Sequence, residues 1–96
     1  MKKKNCFVIS IGYQTFGNSA TNTVYVCSTE ESAKAKLNDA VLRAIEDLQT
    51  QLESNGYTYH PECLIDATSD SCVNLKYYAD NNLLEYNVFY NEFEMD

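Results

Sequence analysis

The two ends of the chain alternate apolar and polar residues, and its middle repeats apolar residues at helical spacing. In residues 6–13, CFVISIGY, every second residue from Phe7 to Tyr13 is apolar, as in a β-strand whose side chains point to opposite faces in turn. Residues 23–27, TVYVC, form a second predicted strand because β-branched and aromatic residues favour strands. Turn-forming residues lie between them at 17–19, so we expect an antiparallel hairpin with a long connection.

The stretch from Ser28 to Gly56 is typical of one long amphipathic helix. Ser28 followed by Glu31 fits a capping box at its start, and Asn55 with Gly56 supplies a left-handed stop at its end. About 27 residues at 1.5 Å each give a rod of roughly 40 Å, long enough to lie diagonally across a sheet. The residues of its apolar stripe are Ala33, Leu37, Ala40, Val41, Ala44, Ile45, Leu48 and Leu52.

Two more strands are predicted in residues 72–79, CVNLKYYA, and in residues 83–93, LLEYNVFYNEF. Asn81 and Asn82 tolerate the positive φ of a tight hairpin turn, so we place them at the turn between these strands. A slip of two residues would keep the same faces, so the pattern determines the faces more firmly than the register. The predicted partners, all apolar or aromatic and facing the helix, are Tyr77 with Tyr86, Leu75 with Val88, and Val73 with Tyr90.

These elements predict a single α+β domain over residues 1–96. It has two layers, an antiparallel sheet of four or five strands in ββαββ order and one long helix packed on one face. The fifth strand would be a short edge strand near residue 64, in the weakly patterned stretch 57–72. A chain of 96 residues leaves no room for a second core, and its apolar fraction of 45% is enough for one core without a metal or a disulfide.

The start of the chain, MKKKNCFVISIGYQ, resembles a signal peptide in that basic residues precede an apolar run. Its apolar run from Cys6 to Ile11 is short, however, and no small-residue cleavage site follows. No stretch approaches the roughly 18 consecutive apolar residues of a membrane span. We therefore expect a cytoplasmic protein.

Charge is divided unevenly along a chain whose net charge is −7. Residues 1–43 carry six bases and three acids, whereas residues 44–96 carry one base and eleven acids. Phosphate contacts need clustered Lys and Arg, so direct binding of DNA or RNA is disfavoured. The negative half favours a basic protein partner, and solubility alone is the plainer interpretation.

The cysteines do not form a C-x-x-C pair: they are Cys6, Cys27, Cys63 and Cys72. In the absence of an export signal we expect reduced thiols, which behave as small buried hydrophobes, with a disulfide between Cys63 and Cys72 as the alternative. A zinc site lacks ligands because His60 is the single histidine.

The stretch from Asp66 to Tyr77 begins with the spacing of a calcium loop, through Asp66, Thr68 and Asp70. Ser71 stands where that loop requires glycine, and Tyr77 stands where it requires a bidentate glutamate. We therefore predict no metal and no cofactor.

A binding surface is expected on the face of the C-terminal hairpin that points away from the helix. Tyr78 and Phe89 are its predicted anchors, since rigid aromatic side chains are enriched at protein interfaces, and nearby acids would steer a basic partner. The alternative is that residues 57–72 cover Phe89 and Phe93, which leaves the acids as a solvated face. The predicted surface comprises Tyr78, Glu85, Asn87, Phe89, Asn91, Glu92, Phe93 and Glu94.

The sequence favours a non-enzymatic protein that binds a basic protein, as a monomer or homodimer. There is no glycine-rich phosphate loop, and acid–base chemistry needs converging groups that the spacing does not supply. In size and charge alone, the chain resembles the small acidic α+β inhibitors that phages and mobile elements direct against host nucleases. This resemblance implies a nucleic-acid mimic that occupies its partner's nucleic-acid site.

Two other classes of function remain open. The first is a structural protein that self-associates through its C-terminal strand at an exposed sheet edge. The second is a small hydrolase that uses Cys63 and His60, although a catalytic thiol favours a more electropositive setting than this half of the chain provides.

Overall fold

The structure, a computed structural model, describes residues 4–69 and 71–95 and confirms the α+β fold. One long helix packs on a five-stranded antiparallel sheet, and the fifth strand is the short one expected near residue 64. The elements are β1 (Lys4–Thr15), β2 (Asn18–Cys27), α1 (Glu30–Ser54), a 3₁₀ turn (Pro61–Cys63), β3 (Ile65–Thr68), β4 (Cys72–Ala79) and β5 (Asn82–Met95).

The strands lie in the order β2-β1-β5-β4-β3, so the first and last strands of the chain form the centre of the sheet. β1 and β5 pair along almost their whole length, from Lys4 opposite Met95 to Gln14 opposite Glu85. The result is an elongated molecule of 55 × 23 × 16 Å. β5 also pairs with β4 from Asn82 to Phe89. Within the described residues, β5 therefore has a free edge for self-association only beyond Tyr90. The Tyr90 N–H itself already donates to the Ser71 carbonyl.

The apolar stripe of α1 packs on the sheet as its spacing predicts. Val41 and Ile45 are half-buried at the side of this contact. The alanines bring the helix backbone close to the strands, and the leucines fill the space towards its C-terminal end. The fully buried members of the stripe are Ala33, Leu37, Ala40, Ala44, Leu48 and Leu52.

The two ends of α1 differ in how well the sequence located them. The predicted cap at Ser28 is wrong by one residue: Thr29 is the N-cap, and its hydroxyl oxygen accepts from the Ser32 N–H at 3.1 Å. The predicted stop is confirmed, since Gly56 has a φ of +83°. The Tyr57 N–H donates back to the Leu52 carbonyl at 2.9 Å, the bond of a Schellman motif.

The first hairpin has a tighter turn than predicted, and the second has its turn at a shifted position. β1 and β2 are joined by Phe16 and Gly17 alone, with φ of +43° and +85°. The long connection is therefore wrong, because two positive φ angles in succession close a two-residue turn with the twist that adjacent strands require.

In the second hairpin, the turn is Asp80-Asn81, and Asp80 has a φ of +55°. This shifts the predicted register by two residues, while the helix-facing side of each strand is as predicted because side chains alternate with a period of two. The observed partners are Val73 with Val88, Leu75 with Tyr86, and Tyr77 with Leu84.

The stretch between α1 and β3 lies on the helix-bearing side of the sheet. The ring of Tyr59 packs against that of Tyr77, with centroids 5.6 Å apart. The Tyr77 hydroxyl oxygen also accepts from the His60 N–H at 3.0 Å. This stretch adds to the core under the helix and leaves the opposite face of the sheet uncovered by the described residues.

Candidate binding surface

The face of the sheet opposite α1, called the open face below, contains six of the eight residues predicted to form a binding surface. The strand register places Tyr78 on this face beside Leu83, and Phe89 between Ser10 of β1 and Cys72 of β4. Its members from β4 and β5 are Cys72, Asn74, Lys76, Tyr78, Leu83, Glu85, Asn87, Phe89, Asn91 and Phe93.

Glu92 and Glu94 lie on the other side of the sheet, which corrects their expected place among the aromatic anchors. Glu92 is opposite Phe7, a core residue under the helix, and its carboxylate accepts a hydrogen bond from the Asn5 side chain. Strand alternation is the cause, because residues next to Phe93 in the sequence must point away from it. These two acids therefore lie behind the open face rather than around its aromatic residues.

The aromatic side chains of the open face are accessible. Tyr78 is 58% exposed and Phe93 is 51% exposed, while Phe89 is half-buried between its neighbours. Tyr57, Tyr59 and Leu64 pack on the core at the helix-bearing side, and β3 extends the sheet sideways. The described part of residues 57–72 therefore leaves Phe93 exposed, while Phe89 is half-buried.

One end of the open face is apolar, and two strands from the other half of the chain contribute to it. Cys6 lies opposite Phe93, and Val8 lies opposite both Asn91 and Val26. Val26 is 67% exposed. The sequence did not assign Val8 and Val26 to the binding surface, because local patterns do not show that β1 and β5 are neighbours. The signal was present in β1, where both faces are largely apolar.

The middle of the open face is polar, with its groups bonded to one another. The Asn74 side-chain amide donates to the Asn87 side-chain oxygen at 2.7 Å and to the Glu85 carboxylate at 2.9 Å. The Lys76 ammonium lies 4.0 Å from the same carboxylate. From the Cys6–Phe93 pair to the turn between β4 and β5, the described face thus carries one acid, Glu85, and one base, Lys76, which are paired, so this part of the face has no net charge.

A shallow depression of about 290 Å³ lies beside this network, between β5 and β2. Gly12 forms its floor, and a Cβ atom at this position would come within 3.2 Å of the Thr21 hydroxyl oxygen. Glycine inside a strand often marks such a close approach. The depression is polar and open, which suits a protruding side chain of a protein partner better than an enclosed small molecule.

A second cleft of about 370 Å³ lies on the helix-bearing side, between α1 and strands β1 and β2. The Tyr86 hydroxyl at its base donates to the Asp47 carboxylate, and the ring of Tyr13 stacks on Tyr86 at 5.8 Å. Burial, and then the hydrogen bond to Asp47, raise the pKa of Tyr86 well above its usual value. Tyr86 is thus held protonated, so it cannot serve as a general base near neutral pH.

The residues considered for catalysis or metal binding do not form a site. His60 Nδ1 lies 3.5 Å from the Glu62 carboxylate, and the hydrogen bond that joins Cys63 to His60 is between backbone groups. No group of three or more metal-ligating side chains occurs within residues 4–69 and 71–95. Asp70, a position of the calcium-like spacing, lies outside the described residues. No disulfide links the four cysteines in the structure.

Comparison with models of protein families, with curated proteins and with solved structures gave no match. Within the described residues, no helix combines the length and the apolarity needed to cross a membrane.

Proposed function

We propose that this chain is a non-enzymatic binding protein that engages a basic protein partner through its open face. The observation that carries the proposal is the exposure of Tyr78, Phe93 and Val26 on a sheet surface that the described chain does not cover. Antiparallel sheets that pack one face on a core commonly have a polar second face. Here large apolar side chains remain in contact with water, which is typical of an interaction site.

The composition of the face supports a protein partner rather than a nucleic acid. Aromatic anchors beside neutral amides resemble the centre of a protein interface, from which charged residues are depleted. Readers of single-stranded nucleic acid place Lys or Arg between their stacking residues. From the Cys6–Phe93 pair to the turn between β4 and β5, the described part of the open face carries one base, Lys76, and that base is paired with Glu85.

The basic nature of the partner follows from the charge of the rest of the molecule. The net charge is −7, and eleven of the fourteen acids lie in residues 44–96. Such a field speeds the approach of a basic protein without contributing contacts at the interface. More narrowly, we propose that the chain inhibits its partner by occupying the partner's nucleic-acid site. We also propose that it acts in the cytoplasm. The neutral open face would then supply affinity, and the surrounding acids would supply attraction.

The test compares matched substitutions on the two sides of the molecule. The partner is first captured from host lysate at low salt, and binding kinetics are then measured with the purified partner. Phe93→Ala and Tyr78→Ala should each speed dissociation and weaken affinity by about 2 kcal/mol, as the loss of an aromatic anchor does. Leu42→Ala is the control, because Leu42 is 62% exposed on the outer side of α1.

Charge is tested separately with a Glu92→Gln/Glu94→Gln variant. It should slow association and reduce its dependence on salt, with dissociation almost unchanged, since both acids lie off the open face. The proposal fails if Leu42→Ala weakens binding as much as Phe93→Ala does. It also fails if neither aromatic substitution changes the dissociation rate.

A further inference from the structure

The two edges of the sheet differ in how they are protected against pairing with another strand. β3 is four residues long and contains Asp66. Short length and charge are the usual means by which edge strands avoid association. β2 is ten residues long, from Asn18 to Cys27, and contains neither a charged residue nor a proline. The sheet thus has one blunted edge and one that is open to a further strand.

The N-terminal part of β2, residues 18–23, is regularly paired with β1 and exposed to solvent. Opposite Ile9 and Ser10 of β1 the register shifts, so that Val24 is the extra residue of a bulge. This leaves the six residues from Asn18 to Thr23 in regular pairing with β1, and all six are exposed. Alternate residues of this segment direct N–H and C=O groups away from β1, where no described residue lies to receive them.

We propose that β2 pairs antiparallel with β2 of a second copy of this chain, joining two five-stranded sheets into one. Charge determines which edge a second copy can approach with the least repulsion. Each molecule carries a net charge of −7, so most surfaces repel their own copies, and β2 brings no charge to the contact. Antiparallel pairing of one segment with itself is also self-complementary about a twofold axis, the commonest symmetry of soluble dimers.

The geometry of this pairing has a defined result. A twofold axis perpendicular to the sheet reverses the strand direction while keeping the faces, so both helices lie on one side and both open faces lie on the other. A register centred on Thr21 places Thr opposite Thr, and Ser19 opposite Thr23 of the second copy. Such small hydroxyl pairs fit between neighbouring strands. The proposal does not depend on the identity of any other partner.

Sedimentation velocity over a range of concentrations tests the proposal. The protein should change from its single-chain mass of 10.9 kDa to twice that mass as concentration rises. In a Ser19→Lys/Thr23→Lys variant, two pairs of like charges would face each other, and the dimer dissociation constant should rise roughly 10-fold. A Ser19→Glu/Thr23→Glu variant should show the same loss. Ala67→Lys, at the exposed β3 edge, is the control and should dimerise like the parent.

A mixture of the two variants separates a disrupted interface from a disrupted fold. At low salt the Lys and Glu variants should form a mixed dimer more tightly than either forms its own, because opposite charges then face each other. The proposal is overturned if the parent protein sediments as a monomer at every concentration. A dimer that persists unchanged in the Lys variant would likewise overturn it, since the interface would then lie elsewhere.

Discussion

At the scale of single residues, Thr15 is the clearest departure from a well-satisfied core. It has no exposed surface, and no described group forms a hydrogen bond with its hydroxyl. A buried hydroxyl without a partner costs its lost hydration. Thr15→Val keeps the shape and removes the polar group, so it should raise the free energy of unfolding by about 1 kcal/mol in denaturant titrations.

Thr15→Ser is the matched control for this prediction, because it keeps the hydroxyl and deletes a methyl group. It should lower the free energy of unfolding by about 1 kcal/mol through the small cavity it creates. If the hydroxyl contributes to stability, the valine variant will be the less stable of the two.

The candidate site shows which residue-scale predictions a sequence supports. Alternation correctly placed Phe89 and Phe93 on one face of β5, because a strand has a period of two. The same rule, applied strictly, excludes Glu92 and Glu94 from that face. Val8 and Val26 could not be assigned to the surface, since the position of β1 and β2 next to the C-terminal hairpin depends on a pairing between residues far apart in the chain.

At the scale of elements, the N-terminus of α1 offers a direct test of its cap. Thr29→Ala removes the acceptor for the Ser32 N–H and should lower the free energy of unfolding by about 1 kcal/mol. Ser28→Ala, one residue earlier and also exposed, should change it by no more than a few tenths. Thermal unfolding of the two variants gives the comparison, and equal losses would contradict the assignment of Thr29 as the cap.

The existence and length of α1 could be predicted, whereas its exact first residue could not. Ser28 with Glu31 satisfies the capping-box pattern, while Thr29 forms the observed bond with Ser32. Both residues offer a hydroxyl, so local chemistry does not decide between them. The second hairpin is similar, because Asp80, Asn81 and Asn82 all tolerate turn geometry and a shift of two residues keeps every side chain on its face.

At the scale of the whole molecule, the pairing of β1 with β5 is the feature that no local pattern encodes. Along the sheet in the order β3-β4-β5-β1-β2, each strand would follow its neighbour if the chain began at β3 and its present ends were joined. The fold is thus a simple meander in which the missing connection, between β5 and β1, lies at the centre of the sheet. Lys4 and Met95 are direct partners, so the first and last described residues are adjacent.

A circular permutant tests how much this topology slows folding. Joining Asp96 to Met1 leaves four residues between Met95 and Lys4, a common length for a hairpin loop. Opening the chain between Glu62 and Cys63, in an exposed turn, then makes every strand pairing local. Refolding measured by stopped flow should be about 10-fold faster than in the parent, because local contacts form sooner.

The control permutant has the same joined ends and is opened between Gly17 and Asn18. It gains the local β5–β1 pairing but loses the local β1–β2 pairing, so it should refold at a rate close to that of the parent. Equal acceleration in both permutants would show that strand order does not limit folding.

The position of β5 also has a consequence in time. During synthesis, β1 emerges first and finds β2 on one side within a few residues. Its other side waits for β5, whose last residue, Met95, is made 80 residues after Thr15. At about 5–20 residues per second, that wait is roughly 4–16 seconds. For that interval each nascent chain exposes the unpaired edge of β1, its future central strand. We therefore expect the protein to be most prone to aggregation while several ribosomes translate it close together.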